Sequence, residues 1–190
     1  MAKRVVDIFV SLIGLIILLP VIAYVALRVR FSSPGPILYS QERVGYRGKK
    51  FRIMKFRSMY VNAETNGPRL SGNNDRRITR WGRVMRKWKL DELPQLWNVL
   101  VGEMSLVGPR PEREYYINQL KKEQQSYQHL LEVKPGLTSL GMVKFGYAAS
   151  VQEMSERMKY DLVYLEKKSL SFDMKIMVDT VRLVLKAGSR

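Results

Sequence analysis

The sequence contains no cysteine and a single histidine, His129. Disulfides, thiolate nucleophiles and cysteine-held metals are thereby excluded, and one imidazole cannot build a zinc cluster. In "QQSYQHLLE", His129 reads as an ordinary residue of a helix surface. There is no Walker lysine loop, no GxGxxG and no Ser–His pair, so ATPase, dehydrogenase and serine hydrolase chemistry have no support. No internal repeat or low-complexity linker divides the chain. With 190 residues and 46% hydrophobic content, it is long enough to bury one core.

Acids are also scarce: 17 against 33 lysines and arginines, a net charge of +16. Such an excess implies an anionic partner, whether nucleic acid, phospholipid headgroups or a phosphorylated substrate. Between Arg43 and Lys89 fifteen basic residues face only Glu64 and Asp75. The interleaved Tyr46, Phe51, Phe56, Trp81 and Trp88 could stack on bases or seat the chain in a lipid interface. A neighbouring apolar segment favours lipid, so no nucleic acid is expected as a partner.

That segment is "IFVSLIGLIILLPVIAYVAL", Ile8 to Leu27, twenty residues without a charge. About 20 apolar residues are needed to cross the hydrocarbon core, so the run belongs in a membrane. It is too long for a signal peptide and no small-residue cleavage site follows, so it is expected to stay attached. Lys3 and Arg4 precede it, while Arg28 and Arg30 follow. Neither end therefore wins under the positive-inside rule. Pro20 interrupts the run and removes a helical hydrogen bond. Residue pattern alone leaves two options: a kinked spanning helix, or a helix that breaks at Pro20 and returns to the same face.

Beyond "SSPGP", β-rich runs Ile37–Gln41 and Phe51–Met59 flank a Gly45–Gly48 turn and predict a hairpin. Asn62–Asn74 reads as a loop. Helical pattern covers Ile78–Trp88, Asp91–Val101, Glu112–Gln125, Val151–Lys168 and Phe172–Lys186, with "VGPRPE" as a rigid turn.

"KLDELPQLWNVL" sets Asp91 beside Glu92 just ahead of Pro94. A helix start explains this pattern, since acids complement the dipole and proline is tolerated there. The alternative is chemistry: adjacent carboxylates can divide the roles of nucleophile and ligand to a hard cation. Magnesium suits one or two carboxylates plus substrate phosphates. In "GPRP" two prolines stiffen the turn around Arg110, whose planar fork suits a phosphate. Lys55, Arg57 and Arg86, from "KFRSM" and "RVMRKWKLDE", add positive charge. A carboxylate can attack phosphorus while cations neutralise the transferred group.

The stretches "KRVVDIFVSLIGLIILLP", "GPILYSQERVGYRGKKFRIMKFRSM", "RITRWGRVMRKWKLDELPQLWNVLVGEMSLVGPRP" and "KPGLTSLG" together resemble the bacterial sugar transferase family, the monotopic phosphoglycosyl transferases. The resemblance runs from Lys3 to about Leu185 and is densest between Arg77 and Pro111. It implies transfer of a sugar 1-phosphate from a nucleotide sugar, usually a UDP-sugar, to polyprenyl (undecaprenyl) phosphate, with release of UMP. This is the first membrane step of glycan assembly. By resemblance Asp91 is the nucleophile, Glu92 is linked to Mg2+, and Arg86 and Arg110 contact phosphate. Asp161 in "KYDLVYLE" matches a later family aspartate, against a reading as a helix-surface acid. The family's N-terminal helix is re-entrant and breaks at proline, which selects the second option for Pro20.

The expected architecture is thus helix-rich α+β. Residues 1–30 form a re-entrant membrane helix-break-helix. Residues 31–190 form a compact catalytic domain on the cytoplasmic face of the bacterial inner membrane, with a small β-hairpin and amphipathic interfacial helices. Partners are the nucleotide sugar, polyprenyl phosphate and the lipid bilayer; a homodimer is left open. Departures from the family pattern are Leu19 where serine commonly precedes the proline, and Ser139 and Met142 in "PGLTSLGMVKFG" where glycine and glutamine are usual. That stretch is expected near the nucleotide sugar, so the sugar is not specified. The extra N-terminal helices of longer members are missing, which suggests a minimal catalytic form. The competing expectation is a non-catalytic adaptor whose basic face holds anionic lipid or nucleic acid. An adaptor gains nothing from two carboxylates inside its positive surface.

Overall fold

The computed structural model describes residues 1–65, 67–72, 75–124 and 126–188. Its framework is helix-rich α+β with two small sheets. The expected loop end at Asn74 and helix end at Gln125 lie outside the described residues.

The apolar N-terminus forms two helices, α1 (Ala2–Ile17) and α2 (Leu19–Ser32), bent by 63°. The corner is Leu18, two residues before Pro20, which sits in the first turn of α2. This offset follows from the ring: proline is accommodated in a first turn and disrupts the turn before it. Bonds from the Leu18 N–H to the Gly14 carbonyl (2.9 Å) and from the Ile22 N–H to the Leu18 carbonyl (2.8 Å) secure the corner. Among the described residues no single helix is long and apolar enough to cross a membrane; only the bent pair passes together. Phe9, Leu12, Ile16, Leu19, Leu27 and Phe31 are exposed along it.

The N-terminal end of α1 is polar and docked. Lys3 pairs with Asp173 and donates to the Val107 carbonyl (2.9 Å). Arg4 donates to the Val99 (2.6 Å) and Leu100 (2.7 Å) carbonyls. Buried Asp7 accepts from the Ser105 hydroxyl and the Leu106 N–H, both at 3.0 Å. At the other end, Val25 and Val29 of α2 pack with Phe56 and Met85.

The hairpin is present, with β1 (Leu38–Val44) antiparallel to β2 (Lys50–Phe56) from Leu38↔Phe56 to Val44↔Lys50. β2 ends earlier than expected because Met59 bridges Ile78 instead. Thr79 caps α3 (Arg80–Lys87) by accepting the Gly82 N–H at 2.9 Å. The expected helix from Asp91 to Val101 is divided. A 3-10 turn (Leu90–Glu92) precedes α4 (Gln95–Val101), whose N-cap is Pro94, and Gly102 at φ 93° ends it. The rest comprises β3 (Ser105–Val107), α5 (Glu114–Glu123), α6 (Tyr127–Leu130), β4 (Gly136–Thr138), α7 (Leu140–Lys144), α8 (Val151–Lys167) and α9 (Leu170–Gly188).

Three elements have no counterpart in the sequence reading: α7 and the two strands of the parallel β3–β4 pair. Leu96, Val99, Met104, Leu106, Leu140 and Ile176 form the core beneath that pair. A second cluster joins α5, α6 and α8 through Ile117, Leu120, Tyr127 and Met158. His129 is exposed on α6 beside Glu132.

Candidate active site

Two short devices bring Asp91 and Glu92 inward. Lys89 adopts a left-handed conformation at φ 57°, reversing the chain after α3. The 3-10 turn then directs both carboxylates into the interior, where Asp91 is 4% and Glu92 6% exposed. A solvent-facing helix start would leave such acids hydrated, so burial removes the bland explanation of the pair.

The two carboxylates are treated differently. Glu92 Oε1 accepts from Lys55 Nζ of β2 (2.7 Å) and from Arg110 Nη2 of the turn after β3 (3.1 Å). Burial alone would raise the Glu92 pKa, but Lys55 and Arg110, with Lys89 behind them, hold it well below the usual carboxylate range. Asp91 Oδ1 is buried with no hydrogen-bond partner among the described residues. Burial, then the negative charge of Glu92, pushes the Asp91 pKa up. A desolvated oxygen without a donor keeps its lone pairs uncommitted, which suits attack on an electrophile.

The turn that delivers Arg110 is held from several sides. The Gly108 N–H bonds the Thr138 carbonyl (3.0 Å) and the Gly136 N–H the Pro109 carbonyl (2.9 Å). A Cβ on Gly136 would lie 2.2 Å from the Gly108 nitrogen, so this approach requires glycine. Arg43 donates to the Pro111 carbonyl (3.1 Å) and pairs with Glu112, which also holds Arg157. Asp161 belongs to the same support. It is buried on α8 rather than lying on a helix surface, and accepts the Gly141 N–H at 2.8 Å. The Arg110 backbone N–H and the Ser139 hydroxyl also favour its ionised form. Burial nevertheless raises its pKa to about 6. Asp161 thus grips the backbone of the Arg110 turn and the start of α7.

Arg86 reaches across to the hydroxyls of Ser58 (Nε, 2.9 Å) and Ser71 (Nη1, 3.1 Å). Its charge lowers the Asp91 pKa against the larger effect of burial. Arg57 is not brought to the dyad. Because β2 stops at Phe56, its side chain turns to the end of α2, where Nη2 donates to the Ser33 carbonyl at 2.6 Å. Lys89 and Tyr147 went unread in the sequence. Lys89 Nζ donates to the Tyr147 hydroxyl (2.6 Å), and Arg110 lies 5.5 Å from the centre of the Tyr147 ring. Burial lowers the Lys89 pKa to about 8. Only proximity in space marks these two; a lysine and a loop tyrosine carry no local signal.

Among the described residues, no group of three or more histidine or acidic side chains is placed to hold a metal. The candidate donors for a cation are the adjacent carboxylates of Asp91 and Glu92. Both ion pairs to Glu92 fall on Oε1, and Asp91 Oδ1 is orphaned. A pair of carboxylates fits the preference of magnesium for one or two carboxylates over an all-protein cage.

A family model described as "Bacterial sugar transferase" matches residues 1–187. The chain belongs to the bacterial sugar transferase family. It is 39% identical over 183 residues to a UDP-N-acetylgalactosamine-undecaprenyl-phosphate N-acetylgalactosaminephosphotransferase of Aeromonas hydrophila, covering 96% of this chain and 43% of the relative. A UDP-glucose:undecaprenyl-phosphate glucose-1-phosphate transferase of Klebsiella pneumoniae is 39% identical over 94% of this chain and 39% of its own length. One of the same description from Caulobacter vibrioides is 36% identical over 96% of this chain and 69% of its own. The chain thus spans about two fifths of the Aeromonas and Klebsiella relatives. Their names divide between two sugars and do not select one for this chain.

Proposed function

We propose that the protein transfers a sugar 1-phosphate from a UDP-sugar to polyprenyl phosphate, through a phosphosugar carried on Asp91. One observation carries this reading: a buried, unpartnered Asp91 oxygen beside a Glu92 clamped by Lys55 and Arg110. In the first half-reaction Asp91 attacks the sugar-bearing phosphorus. A bond forms from the carboxylate oxygen to phosphorus, the bond to the UMP oxygen breaks, and UMP leaves. In the second, an oxygen of polyprenyl phosphate attacks the same phosphorus, frees Asp91 and yields polyprenyl-diphosphate-sugar.

Arg110, Arg86, Lys55 and Lys89 supply positive charge where negative charge develops. Glu92, with Asp91 beside it, would hold Mg2+, which when bound would supply positive charge against the substrate phosphates. Asp161 acts by positioning the Arg110 turn. Arg57, tied to the Ser33 carbonyl, is assigned to joining β2 to α2 rather than to phosphate.

The bent helix pair is the membrane element, and it is re-entrant. Lys3, Arg4 and Asp7 at one end bond to the same body that Val25 and Val29 pack against at the other. Both ends therefore lie on one side, and the corner at Leu18 is the deepest point. Basic flanks support a cytoplasmic assignment for that side, with residues 1–30 proposed as the membrane piece and 31–190 as the catalytic piece.

The test is incubation with labelled UDP-sugars, Mg2+ and no lipid acceptor. One sugar phosphate is expected on the peptide containing Asp91, with UMP released, and Asp91→Asn is expected to abolish both. Glu92→Gln is expected to slow both half-reactions and weaken the magnesium dependence. Label on Glu92, or only when lipid phosphate is present, overturns the covalent route. No turnover across a broad panel of nucleotide sugars favours the adaptor.

A further inference from the structure

A cavity whose lining includes neither dyad residue lies between the end of α2 and the start of α3. It is a groove of about 680 Å³ lined by Arg28, Phe31, Ser32, Arg80, Trp81 and Val84. Its lining holds two guanidinium groups and no carboxylate, and neither arginine has an acidic partner among the described residues. Arg28 lies 4.6 Å from the centre of the Trp81 ring, and Tyr24 packs edge-on against that ring. The Trp81 indole N–H is covered and has no acceptor among the described residues. Two like charges on one groove repel each other, and an anion seated between them relieves the repulsion.

We infer that this groove binds the phosphate of an anionic bilayer phospholipid, distinct from the reacting lipid. Three features select that occupant. Arginine forks match phosphate oxygens in a way that suits a phosphodiester. Exposed Tyr24, Leu27 and Phe31 are spaced along one face of α2 and lead from the groove towards the corner, a track for an acyl chain. Tryptophan is favoured at headgroup depth, and the groove begins where the apolar run ends.

The helix α3 separates this site from the chemistry. Arg80, Trp81 and Val84 line the groove, while Gly82 packs on the Ser58 carbonyl and Arg86 bonds Ser58 and Ser71. A lipid held here fixes how deeply α2 sits without occupying the Asp91 site. The inference rests on the membrane-seated reading of α1 and α2.

The experiment uses the full chain, purified in detergent, with phosphatidylglycerol or phosphatidylcholine added, and counts retained lipid by native mass spectrometry. Preferential retention of one phosphatidylglycerol is expected. Arg28→Gln with Arg80→Gln is expected to weaken it by at least about tenfold, since each contact is charge-assisted. Both residues are exposed, so melting temperature should be unchanged, as should KM for polyprenyl phosphate and Asp91 labelling. Equal retention of the two lipids, or equal retention by wild type and variant, overturns the proposal. Unchanged phosphatidylglycerol retention with a raised KM for polyprenyl phosphate overturns it in favour of the acceptor lipid. A catalytically silent wild type that still retains phosphatidylglycerol through these arginines sinks the transferase reading and leaves the lipid site standing.

Discussion

Replacing Arg110 by lysine isolates geometry from charge. Arg110 is the residue through which the stiff turn meets the dyad: Nη2 reaches Glu92 Oε1 at 3.1 Å, and the guanidinium lies 5.5 Å from the Tyr147 ring centre. Glu92 raises the Arg110 pKa against the effect of burial, so the charge is permanent. Its planar fork can keep the Glu92 bond and present further N–H groups to a phosphate in the same plane. A lysine ammonium is a point donor on a different stem; held on Glu92 beside Lys55, it reaches a phosphate poorly. The loss is one charge-assisted hydrogen bond, about 1.5–3 kcal/mol, plus a cation–π contact of about 0.5–1 kcal/mol. At about 1.4 kcal/mol per factor of ten, Arg110→Lys should lower activity by roughly thirty- to several-hundredfold.

The assay is single-turnover release of UMP from a UDP-sugar, with kcat and KM then separated at steady state. A contact made mainly in the transition state lowers kcat and kcat/KM together; a ground-state contact raises KM alone. Thermal melting should shift little, because the positive charge beside Glu92 is kept. If Arg110→Lys turns over at the wild-type rate, the residue only shapes the turn and the phosphate assignment is wrong.

Two further outcomes follow from buried groups. Asp161 has a folded pKa of about 6 against an ordinary 3.8, so its contribution to stability is full below about pH 4 and is lost as pH rises through 6. That loss is on the order of 2–3 kcal/mol, and melts from pH 4 to 7 should show wild type falling relative to Asp161→Asn; parallel curves would refute the assignment. For topology, a single cysteine added near Met1 in this cysteine-free chain should resist an impermeant thiol reagent applied from the periplasm. Pro20→Leu should expose only a minor fraction, because spanning would require Lys3, Arg4 and Asp7 to leave their partners; labelling of the unsubstituted Pro20 form would sink the re-entrant reading.

The parts legible in the sequence were those with strong local signals. The hairpin shows in its β-rich runs and glycine turn, and the long helices show in their periodicity. The Asp91–Glu92 pair stood out because acids are rare in that stretch. Elements governed by distant contacts were not legible. β3 and β4 have three residues each and pair in parallel across the whole of α5 and α6, so neither run has a local partner. The helix expected from Asp91 was divided because its first turn follows a left-handed Lys89, a conformation no local pattern announces. Arg57 and Lys55 stand two residues apart and share a face only while the strand continues. The strand stops between them, which sends one to Glu92 and the other to Ser33.

The N-terminus shows most clearly why the apolar helix pair and the site have to be read together. Along the sequence, attention falls on the uncharged run and its basic flanks, and Asp7 passes as a boundary residue. An acid at the edge of an apolar helix is costly in lipid, so its presence calls for a protein partner. It has two, the Ser105 hydroxyl and the Leu106 N–H. Those residues open β3, and β3 leads within three residues of its end to Arg110. Lys3 adds a bond to the Val107 carbonyl at the close of the same strand. The first turns of α1 therefore brace, from below, the strand whose far end delivers a guanidinium to the dyad. On the proposed seating of the bent pair in lipid, a change in its depth would reach the Asp91 site through one short strand.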